Sequence, residues 1–227
     1  MVGALALAGC NRVPAQPPQE PPSLGLFTSL PILWRDGEGI AAQLAPPGDP
    51  HWARPVLEEG RRLVPLDTLL APGALADIVI AQPRPLEPAE NVALDAWVRR
   101  GGHLLLFADP LLTAESGFPL GDPRRPADTV LLGPILAHWG LVLQPAEATR
   151  EIAGAPFPVR APGVLTLAHG GPADCRIEQA GLIAMCRIAR GTVLIVADAA
   201  PLEPATGPAA AARAWALRRL MRRAFAR

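Results

Sequence analysis

Patterns typical of buried strands and of amphipathic helices alternate along the chain. The run "DIVIAQ" (77–82) is unbroken and rich in β-branched residues, as in strands that are covered on both faces. The next segment, "LEPAENVALDAWVRRGG" (86–102), has apolar residues at helical spacing and ends on two glycines, which predicts an amphipathic helix. "HLLLFADP" (103–110) predicts a second buried strand. Strand, helix and strand in this order predict a right-handed βαβ unit, and therefore a sheet that is at least partly parallel.

Weaker patterns predict further strands and helices on both sides of the βαβ unit. Residues 23–34 predict a strand and residues 51–63 a short helix. Farther along, 128–140 predicts a helix, followed by the short strand "LVLQP" (141–145). The chain from about 150 to 190 alternates over short stretches broken by turns, which predicts an antiparallel appendage.

The last part of the chain predicts one more strand and one more helix. "GTVLIVADAAPL" (191–202) is a third buried strand that, like the second, ends in Ala-Asp. Residues 207–227 predict a long helix whose arginines near the carboxyl end suit the helix dipole. Binding of this basic helix to a membrane surface is an alternative to packing on the core. The residues expected on the apolar faces of the two main helices are Val92, Leu94, Ala96, Trp97 and Val98, and Trp215, Leu217, Leu220, Met221 and Phe225.

Composition narrows the class of protein. The chain has 227 residues, half of them apolar, which is enough for one sizeable core. It carries 21 basic and 21 acidic residues, so no overall field draws it to a polyanion, and we expect no nucleic-acid partner. We therefore predict an α/β protein with one domain over residues 23–227.

The amino-terminal stretch "MVGALALAGC" resembles the lipobox of bacterial lipoproteins, which implies lipidation at Cys10. The polar, Pro-rich residues that follow suit an extended tether, so residues 1–22 are expected to be a signal remnant and tether. No arginine precedes Cys10, and the apolar stretch is short for a secretory signal. The alternatives are a true start upstream of Met1, or an ordinary apolar terminus with a chance cysteine.

The other two cysteines lie in "CRIEQAGLIAMCRI" (175–188), which predicts a β-hairpin with its turn at Ala180-Gly181. In that register Cys175 faces Cys186, within the distance that a disulfide tolerates. A bridge would fit an oxidising compartment, whereas two reduced cysteines packed in a core are the alternative. No His or third Cys stands at ligand spacing, so no metal site and no cofactor are expected.

The segment "ADIVIAQPRPLEPAENVALDAWVRRGGHLLLFADP" resembles a recurring pattern of the class I glutamine amidotransferase-like superfamily, in particular the domain of gliding-motility-type auxiliary proteins of ABC transport systems. The match is carried by the strand Asp77 to Gln82, the prolines Pro83 and Pro85, the helix Glu87 to Arg100, the pair Gly101-Gly102, and the strand His103 to Pro110. The resemblance implies a flavodoxin-like three-layer sandwich in an envelope protein associated with a transporter.

Enzymes of that superfamily carry a nucleophilic Cys on a sharp strand-to-helix turn with a His nearby, because a thiolate needs an adjacent base. None of Cys10, Cys175 or Cys186 follows a buried strand and opens a helix. The chain therefore inherits no catalytic residue from the resemblance.

In open α/β sheets, ligands bind outside the carboxyl ends of the strands. That rule selects the polar residues Thr28, Ser29, Gln82, Arg84, Asp109 and Asp198 as candidates to hold a small polar ligand. The alternative for such residues is to cap the next helix or close a turn. The long loop over 116–129 adds Arg124 and Arg125 as candidates, since long loops in compact domains are often functional.

These observations lead to one expected function and two alternatives. We expect a non-catalytic binding or assembly component of a bacterial ABC-type transport system, lipid-anchored on the periplasmic side of the envelope and in contact with membrane transport components. The enzyme alternative is a hydrolase that uses Asp109 and Asp198; a close-packed trio of these acids with Arg84 would favour it. The third possibility is a cytosolic domain with reduced cysteines.

Overall fold

The computed structural model describes residues 20–34, 50–146, 152, 154–168 and 173–226. Within these residues the core element is a seven-stranded sheet in the order β2-β1-β3-β4-β9-β8-β7, and a separate two-stranded sheet pairs β5 with β6. The strands are β1 (Ser23–Thr28), β2 (Arg62–Pro65), β3 (Asp77–Ala81), β4 (His103–Phe107), β5 (Leu141–Gln144), β6 (Val164–Leu167), β7 (Asp174–Glu178), β8 (Ile183–Ile188) and β9 (Gly191–Val196).

Five neighbouring strands of the large sheet, β2, β1, β3, β4 and β9, run parallel to one another. The last two strands form a hairpin, in which β8 is antiparallel to β9 and β7 is antiparallel to β8. The predicted α/β class with a mostly parallel sheet is therefore confirmed, and so is the parallel pairing of the two strands around the predicted βαβ helix.

Helices cover both faces of this sheet. They are α1 (Ala53–Leu57), α2 (Pro88–Arg99), α3 (Gly133–His138) and α4 (Gly207–Ala224), with short 3₁₀ turns at Gln179–Gly181 and Ala200–Leu202. One apolar core packs α1 and α4 against one face, and a second core packs α2 and α3 against the other. Each inner strand therefore has apolar residues on both faces, which explains its continuous apolar sequence. In the described part of the chain, none of the helices combines the length and the apolar character that a membrane span requires.

The main elements differ from the expected ones at their ends. The strand expected over 23–34 ends at Thr28, and the helix expected over 51–63 ends at Leu57. The four residues of β2 were not predicted, because this edge strand is short, only partly buried and ends on Pro65. The appendage expected over about 150–190 is only partly separate: β6 pairs with β5, whereas the hairpin β7–β8 extends the large sheet.

Two helix positions were assigned to the wrong face. Val92 in α2 is 71% exposed and Trp215 in α4 is 52% exposed, although both were expected on the apolar side. The buried stripe of α2 is narrower and consists of Leu94, Trp97 and Val98, together with the carboxylate Glu90. Trp215 instead packs under the guanidinium of Arg219, 5.5 Å from the ring centroid.

The glycines at the amino ends of β4 and β9 permit a close approach of three backbone segments. A Cβ atom on Gly102 would lie 2.5 Å from the indole ring of Trp97. A Cβ atom on Gly191 would lie 2.1 Å from the carbonyl oxygen of Val98 and 2.5 Å from that of Gly102. Any side chain at either position would therefore collide with the end of α2.

The hairpin β7–β8 has the register expected from the sequence. Cys175 lies opposite Cys186, and a disulfide joins the two residues. The turn between the strands passes through Gln179 and Ala180, both with positive φ, and then Gly181. Cys186 is buried in the core under α2 and α3, so the bridge ties the edge strand to the interior of the domain.

Candidate functional site

The carboxyl ends of β1, β3, β4 and β9 lie at one edge of the sheet because these strands are parallel. The residues at or just after these ends are Thr28 and Ser29, Gln82, Asp109, and Asp198. Hydrogen bonds link Thr28 and Ser29 to the end of β3, Gln82 to the end of β4, and Asp109 to the end of β9. The structure thus brings these five sequence-predicted residues together at the carboxyl edge.

Gln82 is the most constrained residue of this edge. It is fully buried and has a φ of 41°, in the left-handed region that a residue other than Gly or Asn seldom adopts. Its side-chain Nε2 donates hydrogen bonds to the carbonyl oxygens of Asp109 (3.1 Å) and Ala127 (2.8 Å). Its Oε1 accepts from the backbone N–H of Asp109 at 3.0 Å. The amide group therefore ties β3 to the end of β4 and to the loop before α3.

The two aspartates each bind backbone N–H groups. Asp109 accepts from Leu111 through Oδ1 (2.8 Å) and from Ala199 through Oδ2 (3.2 Å). Asp198 accepts from Ala200 through Oδ1 (2.7 Å) and from Arg160 through Oδ2 (2.8 Å). Both carboxyl groups are buried, so each carboxyl closes the turn after its own strand and holds a second segment in place.

The environment of these acids favours their protonated forms. Burial raises the pKa of Asp109 to about 6. The two backbone hydrogen bonds oppose this rise, and the charge of Glu203 adds to it. Burial raises the pKa of Asp198 to about 7, and the charges of Asp109 and Glu203 add to this rise. Two nearby carboxyl groups that titrate close to neutral pH could exchange a proton with a substrate. Proton transfer by these two carboxyl groups is therefore the chemistry available at the carboxyl edge.

Glu203 is a third acid at this edge, and it was not predicted from the sequence. It is 7% exposed and lies directly after the 3₁₀ turn Ala200–Leu202. Its Oε2 is 3.5 Å from a guanidinium nitrogen of Arg213 and 3.9 Å from one of Arg160. Periodicity could not reveal this position, since only the turn of the chain after β9 brings Glu203 back to the edge. No three His, Cys, Asp or Glu side chains within the described ranges are placed to hold a metal ion.

Arg84 does not join the two aspartates. Its guanidinium binds both carboxylate oxygens of Glu90, at 2.7 and 2.8 Å, and donates to the carbonyl oxygens of Pro85 and Asp67. Glu90 also accepts from the hydroxyl of Thr68 and the backbone N–H of Leu69, and it closes the capping box at the start of α2. The Arg84 hydrogen bond, opposed by burial, lowers the pKa of Glu90 to about 2.

The remaining candidates also form their bonds within the domain. The hydroxyl of Thr28 donates to the carbonyl oxygen of Ala81 (2.8 Å), and that of Ser29 donates to the carbonyl oxygen of Gln82. Arg124 forms an ion pair with Asp122 and stacks on the ring of Phe118. Thr28 and Ser29 thus fasten β1 to β3, and Arg124 shapes its own loop.

Arg125 and the cysteines complete the set of predicted residues. Arg125 donates to the carbonyl oxygen of Phe118 and pairs with Asp128, so it also holds the loop together. Cys175 and Cys186 lie in the hairpin, away from any turn that leads from a strand into a helix. Cys10, the predicted lipidation site, lies outside the described residues.

Among the known proteins compared with this chain, only solved structures show a similarity to it. The chain matches no model of a protein family and no curated protein. It is similar to exo-β-1,4-mannosidase Op5Man5 from Opitutaceae bacterium strain TAV5, with 17% identity and a TM-score of 0.46 over 88% of this chain and 34% of that one. It is also similar to cytoplasmic protein STM1381 from Salmonella typhimurium LT2, with 12% identity and a TM-score of 0.49 over 87% and 96%.

A third similar structure is that of a catalytic mutant of Gan42B, a GH42 β-galactosidase from G. stearothermophilus, with 9% identity and a TM-score of 0.46 over 89% of this chain and 30% of that one. The chain spans about a third of the length of the mannosidase and of this galactosidase. At such identities and TM-scores these likenesses bear on neither substrate nor partner.

Proposed function

We propose that the chain is a non-catalytic binding or assembly component of a bacterial envelope ABC-type transport system. The observation that supports a non-catalytic role is that the side chains at the strand ends bond to the domain itself. Gln82, Asp109 and Asp198 all bond to backbone groups of the domain itself, so each of their side-chain polar atoms already fastens one of its loops. A catalytic group must instead direct at least one such atom toward a substrate.

The backbone after β3 supports the same conclusion. Nucleophiles on α/β folds are commonly placed on a strained turn directly after a buried strand. In this chain the residue with positive φ directly after β3 is Gln82, which has no nucleophilic atom. The helix that follows begins only at Pro88. The strained turn therefore holds a structural amide.

The fold that we propose for this component is flavodoxin-like and related to the amidotransferase-like superfamily. Its support is the order of the five parallel strands, β2-β1-β3-β4-β9, which corresponds to the doubly wound order 2-1-3-4-5. No helix lies between β2 and β3 along the chain, and the additional hairpin extends the sheet beyond β9. The proposal of a transport partner depends on the resemblance of residues 77–110.

We further propose that the domain works on the periplasmic side of the envelope, anchored by a lipid on Cys10. The disulfide between Cys175 and Cys186 supports this location, because disulfides persist mainly in oxidising compartments. In this setting the domain would present a folded, covalently braced surface to membrane transport components.

The test is co-purification from membranes of the source bacterium, with the full chain carrying a carboxyl-terminal tag. We expect an ATP-binding subunit and its membrane-spanning partner to be enriched with the tagged protein, and the Cys10→Ser variant to leave the membrane fraction. Recovery of the chain without either transporter subunit, from membranes in which both are present and under chemical cross-linking, would contradict the transport role.

The hydrolase alternative is favoured by one observation, the raised pKa values of Asp109 and Asp198. It is tested separately by release of nitrophenol from ester, phosphate and glycoside substrates. Under the proposed function no turnover is expected. Turnover that the Asp198→Asn variant abolishes, while its thermal unfolding stays cooperative, would replace the proposal with the hydrolase.

A further inference from the structure

A cavity lies at the opposite, amino-terminal edge of the sheet. It has a volume of about 300 Å³ and is bounded by α1, the start of β2 and the carboxyl-terminal half of α4. Its floor is apolar and is formed by Val56, Met221 and Phe225, all of which belong to the core or its border. A cavity of this size is at the lower end of the range found for small-molecule sites.

Three guanidinium groups stand around this apolar floor, and two of them are fixed by carboxylates. Arg61 binds the buried Asp77 and lies 5.1 Å from the centroid of the Phe225 ring. Arg218 binds both oxygens of Glu59 through two of its nitrogens. These contacts leave other N–H groups of Arg61 and Arg218 available, since a guanidinium has five donors.

Among the described residues, the charges around the cavity leave one guanidinium without a carboxylate partner. Arg61 is balanced by Asp77 and Arg218 by Glu59. The third guanidinium, that of Arg222, is exposed and has no carboxylate partner among the described residues. A ligand that matches this surface therefore carries one negative charge beside an apolar body.

We propose that this cavity binds a small amphiphilic monoanion, with an alkyl carboxylate as the matching chemistry. The carboxylate pairs with Arg222, and the alkyl chain covers Val56, Met221 and Phe225. Guanidinium groups suit this head because they bind carboxylates through two parallel hydrogen bonds. The site is distinct from the strand-end residues at the other edge of the sheet, and it does not depend on the proposed transport role.

Isothermal titration of the full chain with octanoate tests the proposal. We expect octanoate to bind with one ligand per chain, and acetate and octanol to bind at least about tenfold more weakly, because each lacks one of the two matched parts. The absence of octanoate binding at millimolar concentration would overturn the proposal. Equal binding of octanol would overturn the role of the charge.

Substitution of Arg222 tests the position of the head group. Arg222→Ala should weaken octanoate binding by about tenfold, the effect of one charged hydrogen-bonded pair, and Arg222→Glu by at least as much. The matched control is Arg219→Ala, one turn away on the same helix, where the arginine is exposed and lies over Trp215. We expect the control to bind octanoate as the unchanged protein does.

Both arginines lie on the surface, so neither substitution should prevent folding, which the thermal unfolding midpoint will verify. Equal weakening by Arg222→Ala and Arg219→Ala would mean general attraction to a basic helix and would overturn the site. Full binding by Arg222→Glu would overturn it as well.

Discussion

The two edges of the sheet use charged and polar side chains in opposite ways. At the carboxyl edge, Gln82, Asp109 and Asp198 are buried and bonded to backbone groups. At the amino edge, Arg218 and Glu59 are partly exposed and bonded to each other, beside a cavity. The edge where α/β folds commonly bind ligands is thus occupied by structural contacts, and the edge with open guanidinium groups lies opposite. The rule that selected the strand-end residues therefore identified residues that stabilise the loops of the domain itself.

The largest loss of stability is expected on removing the Glu90 carboxylate. Glu90→Ala leaves Arg84, Thr68 and two backbone N–H groups without their acceptor. Because Arg84 is 45% exposed and can be rehydrated, the loss comes mainly from the buried N–H of Leu69 and the lost helix cap, and it should lower the free energy of unfolding by about 2–4 kcal/mol. Chemical denaturation measures this loss. The control is Asp122→Ala, which removes the partner of the half-exposed Arg124 and should cost far less stability than Glu90→Ala. Comparable losses in both variants would contradict the distinction.

The carboxyl edge should also control how stability depends on pH. Because the pKa of folded Asp198 is about 7, well above that of an ordinary aspartate, the folded protein binds more protons than the unfolded chain between about pH 4 and 7. The contribution of Asp198 to the free energy of unfolding should therefore fall as pH rises through this window, by roughly 2–4 kcal/mol.

Urea denaturation at a series of pH values, for the unchanged protein and for Asp198→Asn, isolates this contribution. The variant should lose much of the downward slope, whatever its stability at any single pH. The exposed Asp174→Asn serves as the control and should keep the slope. An Asp198→Asn profile parallel to that of the unchanged protein would show that this acid does not carry the dependence.

A smaller effect is expected for the amide that joins β3 to β4. Gln82→Ala removes three hydrogen bonds and leaves the buried backbone groups of Asp109 and the partly buried carbonyl of Ala127 unpaired, which should cost about 2–3 kcal/mol. Gln179→Ala is a close control, since Gln179 also has positive φ but is exposed. Equal stability losses in thermal unfolding would assign the effect to backbone conformation instead of the hydrogen bonds.

The smallest effect is expected at the amino edge. Arg218→Ala removes a surface ion pair whose side chains are 39% and 49% exposed, and should change the free energy of unfolding by less than about 1 kcal/mol. Denaturation at low and at high salt measures the change and its screening. A loss above about 2 kcal/mol would show that this edge is as structural as the other.

The parts of the fold that were predictable are those with a continuous local signal. Strands β3 and β4 are buried on both faces, and α2 between them has a capping box at its start and glycines at its end. The strand β2 was missed because four partly buried residues carry too little pattern. The pairing of β8 with β9 was missed although only residues 189–190 separate the two strands, because the continuous apolar run of β9 does not report an antiparallel neighbour.

The candidate site was likewise predictable in some residues and unpredictable in others. The convergence of Asp109 and Asp198 followed from the rule that parallel strands end at one edge. Arg84 does not converge with the two aspartates, because Glu90, six residues away on the next helix, binds its guanidinium. The burial of Glu203 depends on how the chain turns after β9, which no local pattern reports.

The close approach at Gly102 and Gly191 determines where the chain could accept foreign sequence. At Gly102 there is no space for even one methyl group beside Trp97, so an inserted peptide there would force α2 off the sheet. The turn at residues 119–121 lies in the long loop before α3, and all three residues are exposed. A fluorescent reporter or an affinity epitope placed at this turn should leave both edges of the sheet intact.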